Sequence, residues 1–244
     1  MKQRGFTLVE IILTLVVMSI LVLAISGFLE LGSRGYVDTV ERQSVQTQAQ
    51  FVVEKLSREL RHAVPNSVEY DGNSGCLSFY PIAYFGFYHR QPNGDLALLV
   101  AQSVVDLTAI SHYQMAINPT SVQEVQQAPQ LATHLSSLAD HTQLEDTKNT
   151  YLWLQGASLF ASDSPSHRFY WYQSKISYCY EKPNLWRKVD NQVSVQVAGQ
   201  LHSLDFQVQG ASMEHNGLVR IALSFERQAE ISRYEQEVQV LNVP

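Results

Sequence analysis

The chain has 244 residues, 45% of them hydrophobic, and a formal net charge of −6. This length holds one well-filled domain with an appendage, and it excludes several full-sized domains. The acidic balance argues against a general nucleic-acid binder, which needs clustered Lys and Arg to contact phosphates. The two cysteines, Cys76 and Cys179, lack the spacing of a zinc site, so they are either two buried thiols or one disulfide.

The N-terminal segment is the most informative part of the sequence. A short basic leader, residues 1–5 with Lys2 and Arg4, precedes an apolar segment, residues 6–29, in which Glu10 is the only ionisable side chain. As a helix this segment would be ~36 Å long, which suffices to cross a hydrocarbon core of ~30 Å. An ordinary secretory signal has a shorter apolar core followed by a small-residue cleavage site. An ordinary signal anchor leaves the carboxylate unexplained.

The run Gly5-Phe6-Thr7-Leu8-Val9-Glu10 resembles the processing motif of type IV prepilins and of the pseudopilins of type II secretion systems. The resemblance implies that a prepilin peptidase cuts between Gly5 and Phe6 and then methylates the new amino terminus at Phe6. It also implies that Glu10 pairs with the free amine of a neighbouring subunit when the protein enters a filament. Lys2 and Arg4 would hold the leader in the cytoplasm, which places the rest of the chain beyond the helix outside it.

The helical pattern continues beyond the apolar segment. Residues 30–64 are expected to form the periplasmic half of the same long helix, and Pro65 predicts a helix end near Ala63. Spacings of three and four residues define one apolar stripe, which comprises Val45, Ala49, Val52, Leu56, Leu60 and Ala63. Such a stripe is typical of a helix that packs on a domain core, and the resemblance to pilins implies packing on a β-sheet.

Alternation of apolar and polar residues predicts a β-rich globular head over residues 65–244. The clearest strands are predicted at residues 175–181, 185–189, 204–208, 219–226 and 238–240, and shorter ones at 67–70, 77–80, 84–88 and 96–100. Residues from about 102 to 163 show weak periodicity and predict an irregular insert with one or two short helices. A long N-terminal helix packed on an antiparallel β-sheet makes the expected fold class α+β and pilin-like.

The head shows no recognisable catalytic or metal-binding pattern. The eight histidines are not paired at helical spacing, and no nucleotide-binding or hydrolase motif is present. We therefore expect no enzyme activity, no metal site and no cofactor. Aromatic residues are concentrated between Tyr151 and Tyr172. Clustered aromatics in strands are more often core or subunit interface than a platform for sugars or DNA, so we expect no nucleic-acid partner.

Three stretches of the head resemble the larger minor pilins. They are residues 164–170 (Ser-Pro-Ser-His-Arg-Phe-Tyr), 176–179 (Ile-Ser-Tyr-Cys) and 185–187 (Leu-Trp-Arg). The similar families are the minor pilins of mannose-sensitive haemagglutinin (MSHA) pilus biogenesis, the PilW-type minor pilins and the J-type pseudopilins. The resemblance implies a minor pilin that acts at the initiation or the tip of a type IV pilus. Its partners would be major and minor pilins and the assembly platform of the inner membrane.

Two other interpretations remain open. A type II secretion minor pseudopilin uses the same N-terminal chemistry for protein export. A signal-anchored periplasmic enzyme or binding module, in which Glu10 is accidental, belongs to another class. All three interpretations predict a single-pass inner-membrane protein with a cytoplasmic N-terminus and a periplasmic head, and the pilin interpretation adds incorporation into the pilus. Outside the cytoplasm we expect Cys76 and Cys179 to form a disulfide.

Overall fold

A computed structural model of the protein describes residues 7–101, 112–129, 151–154, 160, 162–190, 192–210, 216–227 and 230–240. The chain divides into two compact units, Met1–Gln48 and Ala49–Pro244. One long α-helix, α1 (Leu8–Arg61), supplies all the described structure of the N-terminal unit except Thr7, and its last turns belong to the C-terminal unit. No proline occurs within α1, so nothing interrupts its backbone hydrogen bonds.

The last turns of α1 form part of the core of the C-terminal unit. The apolar stripe expected from the sequence is completely buried there, at Ala49, Val52, Leu56 and Leu60. The helix ends at Arg61, slightly before the predicted residue, Ala63. The chain leaves the helix early because the backbone N–H of Val64 donates to the carbonyl oxygen of Tyr80 at 2.8 Å. A contact between distant segments therefore competes with the last helical hydrogen bonds.

The C-terminal unit contains three antiparallel sheets in its described residues. The first has the order β1 (Glu69–Asp71), β2 (Cys76–Phe79), β8 (Ile176–Glu181), β9 (Asn184–Val189), β10 (Val195–Ala198). The second has the order β5 (Gln114–Ala116), β7 (Arg168–Tyr172), β3 (Tyr84–Arg90), β4 (Leu96–Val100), β6 (Tyr151–Leu154). The third has the order β11 (Leu201–Gln209), β12 (Gly217–Arg227), β13 (Glu230–Val240). A short helix, α2 (Val122–Gln126), follows β5.

The observed architecture confirms the predicted α+β, pilin-like fold class. The predicted strands 175–181 and 185–189 correspond to β8 and β9, which form an antiparallel hairpin with Glu181 opposite Asn184. The single sheet expected from the alternation is instead divided into three, because alternation identifies strands without specifying their neighbours. Within residues 102–163, the described residues form β5, α2 and β6, while residues 102–111, 130–150, 155–159 and 161 lie outside the described residues.

A disulfide between Cys76 and Cys179 cross-links the first sheet, which confirms the predicted bond. The two residues lie directly opposite each other on β2 and β8. Two positions along the same strands, the hydroxyl oxygens of Ser78 and Ser177 are 2.9 Å apart. The cross-link joins residues that are 103 positions apart in sequence. It therefore ties the beginning of the head covalently to its C-terminal half.

The aromatic segment of β7 lies in the core. Phe169, Tyr170, Trp171 and Tyr172 are all buried. The hydroxyl of Tyr172 donates to the carbonyl oxygen of Val125 at 2.7 Å, which attaches α2 to the second sheet. Burial raises the pKa of Tyr172 far above that of a free phenol. These four aromatics therefore build the head and are not a surface platform, as the sequence indicated.

Gly86 lies at the centre of the second sheet and supports a specific prediction. It is paired with Val100 on β4 and with Phe169 on β7. A Cβ atom at this position would overlap the carbonyl oxygen of Leu99 and lie 2.8 Å from the Phe169 ring. We expect Gly86→Ala to lower the free energy of unfolding by about 1–3 kcal/mol, because overpacking forces neighbours to shift. Urea unfolding of the full chain in mild detergent, followed by tryptophan fluorescence, measures the change.

Gly210→Ala is the matched control, because a Cβ at Gly210 would meet nothing within 4 Å. We expect the control to change the free energy of unfolding by less than about 0.5 kcal/mol. Equal stability of the two variants would contradict the close approach of β3 and β4 around Gly86.

An ion pair attaches the end of α1 to the first sheet. The Nε–H of Arg187 on β9 donates to both carboxylate oxygens of Glu59 at 3.2 Å. Lys55, one helical turn before, places its Nζ 3.2 Å from the same carboxylate. The Glu59 side chain is only 20% exposed, so solvent screens this pair less than a surface pair. The burial of Tyr178, reinforced by the nearby negative charge of Glu59, raises the pKa of the Tyr178 hydroxyl.

Glu59→Gln is expected to lower the free energy of unfolding by about 1–2 kcal/mol, since it leaves Arg187 half-buried without its counter-charge. Glu54→Gln removes the same charge from the pair of Glu54 with Arg58, whose side chains are 71% and 73% exposed. For Glu54→Gln the free energy of unfolding is expected to fall by less than about 0.5 kcal/mol. The same urea experiment measures both. Equal effects of the two substitutions would show that the Glu59 pair does not hold the helix on the sheet.

Candidate functional site

The first turn of α1 positions Glu10 through local hydrogen bonds. The hydroxyl oxygen of Thr7 accepts from the backbone N–H of Glu10 at 3.4 Å, and the Thr7 carbonyl oxygen accepts from Glu10 and Ile11 at 3.1 and 3.3 Å. Threonine followed three residues later by glutamate is the capping-box pattern of a helix start. A carboxylate in the first turn is also stabilised by the helix dipole. The Thr-x-x-Glu spacing identifies Thr7 as the residue that sets this helix start, which the processing motif alone does not reveal.

The helix that carries Glu10 exposes its large apolar side chains along residues 8–40. Their exposed fractions lie between 45% at Val40 and 76% at Phe28. Contiguous apolar surface of this extent is unfavourable in water, at about 25 cal/mol per Å². The helix is long and apolar enough to cross a membrane. This segment therefore requires lipid or other protein around it.

The hydroxyl groups of residues 8–29 are satisfied by the helix itself. Each donates to a carbonyl oxygen one turn before: Thr14 to Ile11 at 2.8 Å, Ser19 to Leu15 at 2.7 Å and Ser26 to Val22 at 2.8 Å. These bonds allow a hydroxyl to enter a membrane at little cost. Among the described residues, the Glu10 carboxylate has no such partner. As far as the described residues show, it is therefore the polar side chain of residues 8–29 that is left to interact with another molecule.

Charged residues resume where the apolar segment ends. Glu30 and Arg34 form an ion pair of 2.5 Å on the exposed helix surface. The other predicted processing residues, Lys2, Arg4, Gly5 and Phe6, lie outside the described residues. The structure therefore places Glu10 in the first turn beside Thr7, and the cleavage site stays a prediction.

In the part of the chain that the structure describes, no group of three or more His, Cys, Asp and Glu side chains is arranged to hold a metal ion. His202 is instead 2.6 Å from Glu226 in a surface pair of the third sheet. The described residues provide a simpler arrangement. It presents one carboxylate at the start of α1, within a segment (residues 8–29) that has no other ionisable side chain.

Comparison with protein families matches residues 1–26 to the prokaryotic N-terminal methylation motif. Comparisons with curated proteins and with solved structures found no match. The chain therefore carries the N-terminal methylation motif of type IV pilins and pseudopilins, at the start of a pilin-like architecture. This N-terminus is the kind that prepilin peptidase processes, and it indicates an inner-membrane anchor. The match covers the leader and the first helical turns, so it does not extend to the head.

Proposed function

We propose that this protein is a minor pilin that takes part in the initiation or the tip of a type IV pilus. The observation that carries the proposal is Glu10, a carboxylate within the methylation motif that has no partner among the described residues and lies on an exposed apolar helical segment. An unpaired acidic side chain costs about 2.5–3.5 kcal/mol at the centre of a membrane helix on insertion scales, and Glu10, in the first turn, carries a part of that cost. The free amine of a neighbouring processed pilin would remove much of that cost. Docking onto a filament is therefore favoured where such an amine is available.

Processing would precede this docking. Prepilin peptidase would cut between Gly5 and Phe6 on the cytoplasmic side, where Lys2 and Arg4 retain the leader, and would methylate Phe6. The head would then lie in the periplasm. The Cys76–Cys179 disulfide supports this location, because such bonds persist in oxidising compartments.

A minor rather than a major pilin is supported by the size of the head. A repeating subunit must pack against identical neighbours all along a filament, whereas a tip subunit accommodates a large, irregular head. The head stretches 164–170, 176–179 and 185–187 supply parts of β7, β8 and β9, and their resemblance points to the MshO protein of MSHA pilus biogenesis. On this ground we assign the protein to an MSHA-type pilus.

A type II secretion minor pseudopilin is the second candidate. The methylation motif is common to both systems, and the same head stretches resemble J-type pseudopilins. A signal-anchored periplasmic module, the remaining candidate, predicts no processing at Gly5.

The deciding experiment is a clean deletion, complemented in parallel with the wild-type chain and with Gly5→Leu. Surface pili and secreted proteins are scored in each strain, and the N-terminus of the membrane-bound chain is read by mass spectrometry. We expect loss of pili, normal secretion, rescue by the wild type and an uncut leader in Gly5→Leu. Loss of secretion with pili intact would identify a pseudopilin. A wild-type chain that retains residues 1–5 beside an active peptidase would refute both.

A further inference from the structure

The strand β13 (Glu230–Val240) forms an unusually regular edge of the third sheet. It pairs with β12 in one continuous register from Gly217 opposite Val240 to Arg227 opposite Glu230. Among the described strands, none pairs with its other side. Its 11 residues include no proline, glycine or lysine. An edge of this kind exposes a row of backbone N–H and C=O groups that can accept another strand.

The other sheet edges in the described part of the chain are protected. β1 and β5 have three residues each, and β6 and β10 have four. The register of β10 shifts between Gln196 and Ala198, and that of β11 shifts at its start, between Leu201 and Ser203. Tyr70 on β1 also packs against Phe206 on β11, with ring centroids 5.8 Å apart. Short strands and irregularities are the usual devices that prevent edge-to-edge pairing. β13 has neither of them, so its charged side chains determine which strand can pair with it.

We propose that the β13 edge pairs antiparallel with β13 of a second copy of this chain, centred on Tyr234. In this register Arg233 of each copy lies opposite Glu235 of the other, and Ser232 lies opposite Gln236. No like charges face each other. Opposite charges directly across two strands are stabilising, and like charges are destabilising. The two Arg233–Glu235 pairs therefore favour a second copy over an arbitrary strand.

Neighbouring registers lack this complementarity. A pairing centred on Glu235 places Glu235 opposite itself, and a pairing centred on Arg233 places two guanidinium groups together. In each of these registers one residue lies opposite its own copy, so facing side chains of the two strands point to the same side of the sheet. Because side chains alternate with a period of two, the core faces of the two copies then lie on the same side as well. Within each copy, Arg220 on β12 donates to Glu235 at 2.6 Å. The paired edge would thus carry a row of alternating charges from Arg220 through Glu235 to Arg233 of the second copy.

Site-specific cross-linking of the full chain in membranes tests this pairing, independently of the proposed function. One tagged copy carries Ser232→Cys and a second, differently tagged copy carries Gln236→Cys; Gln236 is exposed and Ser232 is partly exposed. Directly opposite residues of antiparallel strands have Cα atoms about 4.5–5.5 Å apart, which lies within the range that a disulfide spans. If both copies carried Ser232→Cys, the two cysteines would lie four residues apart along the strands, or ~13 Å, which is too far for a disulfide. We therefore expect covalent dimers when the two variants are co-expressed, and few with either variant alone.

Charge variants supply the matched controls. Arg233→Glu in both copies is expected to reduce the cross-linked dimer about tenfold, since two attractive pairs become repulsive, while Arg233→Lys retains it. Absence of the mixed dimer overturns the proposal. Equal cross-linking by the single variants, or an unchanged yield with Arg233→Glu, does so as well. If Gln236→Cys forms an adduct with a different protein and none with Ser232→Cys, the edge accepts a foreign strand and the second copy is the wrong occupant.

Discussion

Replacing Glu10 with valine is expected to leave the chain processed and membrane-anchored while reducing its incorporation into pili at least tenfold. A factor of ten corresponds to about 1.4 kcal/mol, which is a part of the ~2.5–3.5 kcal/mol that an unpaired acidic side chain costs at the centre of a membrane helix. A variant without the carboxylate has no such cost, so it gains nothing from the amine of a neighbour. Thr7 still caps the helix in this variant, so the helix start is retained. Quantitative immunoblots of sheared pili and of the membrane fraction give the ratio directly.

Glu30→Gln is the control for this experiment. Glu30 lies on the same helix and is paired with Arg34, so the substitution removes an equal charge outside the apolar segment. We expect its incorporation to equal that of the wild type. If Glu10→Val entered pili as efficiently as Glu30→Gln, the carboxylate would have no part in docking. A reduced membrane level of Glu10→Val would instead indicate a defect in insertion, and the ratio of pilus to membrane protein separates the two effects.

Removal of the disulfide by Cys76→Ala with Cys179→Ala is expected to cause the largest loss of stability. The bond closes a loop of 103 positions, for which the loop-entropy model gives about 4–5 kcal/mol, as an upper value. With a urea dependence of about 2 kcal/mol per M, the unfolding midpoint would fall by about 2 M. Urea titration of the full chain in mild detergent, followed by tryptophan fluorescence, measures this shift.

The pair Ser78→Ala with Ser177→Ala is the matched control for the disulfide. It removes a non-covalent contact across the same two strands and is expected to cost about 1 kcal/mol. Wild-type protein treated with a reductant should behave as the cysteine variant does. If the cysteine variant lost no more stability than the serine control, the unfolded chain would already be restricted without the bond.

The local features of this protein could be predicted from its sequence with good accuracy. The apolar stripe of α1 was located because side chains three and four positions apart share one helix face. The strand β4 agrees with the predicted residues 96–100, and β12 was recognisable from strict alternation. Cys76 and Cys179 were expected to bond on the ground of compartment alone. The processing motif does not point to the role of Thr7, although the spacing of Thr7 from Glu10 is a local signal of a helix start.

The sequence could not predict which distant residues pair with each other. The ion pair between Glu59 and Arg187 joins residues 128 positions apart, and neither residue is marked by its neighbours in sequence. The strands β5 and β6 are too short, at three and four residues, to show a period of two. Alternation also leaves open which strands are adjacent, so it could not separate one sheet from three.

The sequence by itself determined the processing motif, the membrane-length helix and the position of Glu10, because each depends on residues that are contiguous or within one helical turn. The tertiary structure alone decided the three sheets, the close approach at Gly86 and the position of β13 at an edge of the third sheet in the described part of the chain. These depend on which backbone groups become neighbours after folding. Hydrogen bonding between strands is available to almost every residue, so packing of the whole head selects the pairs.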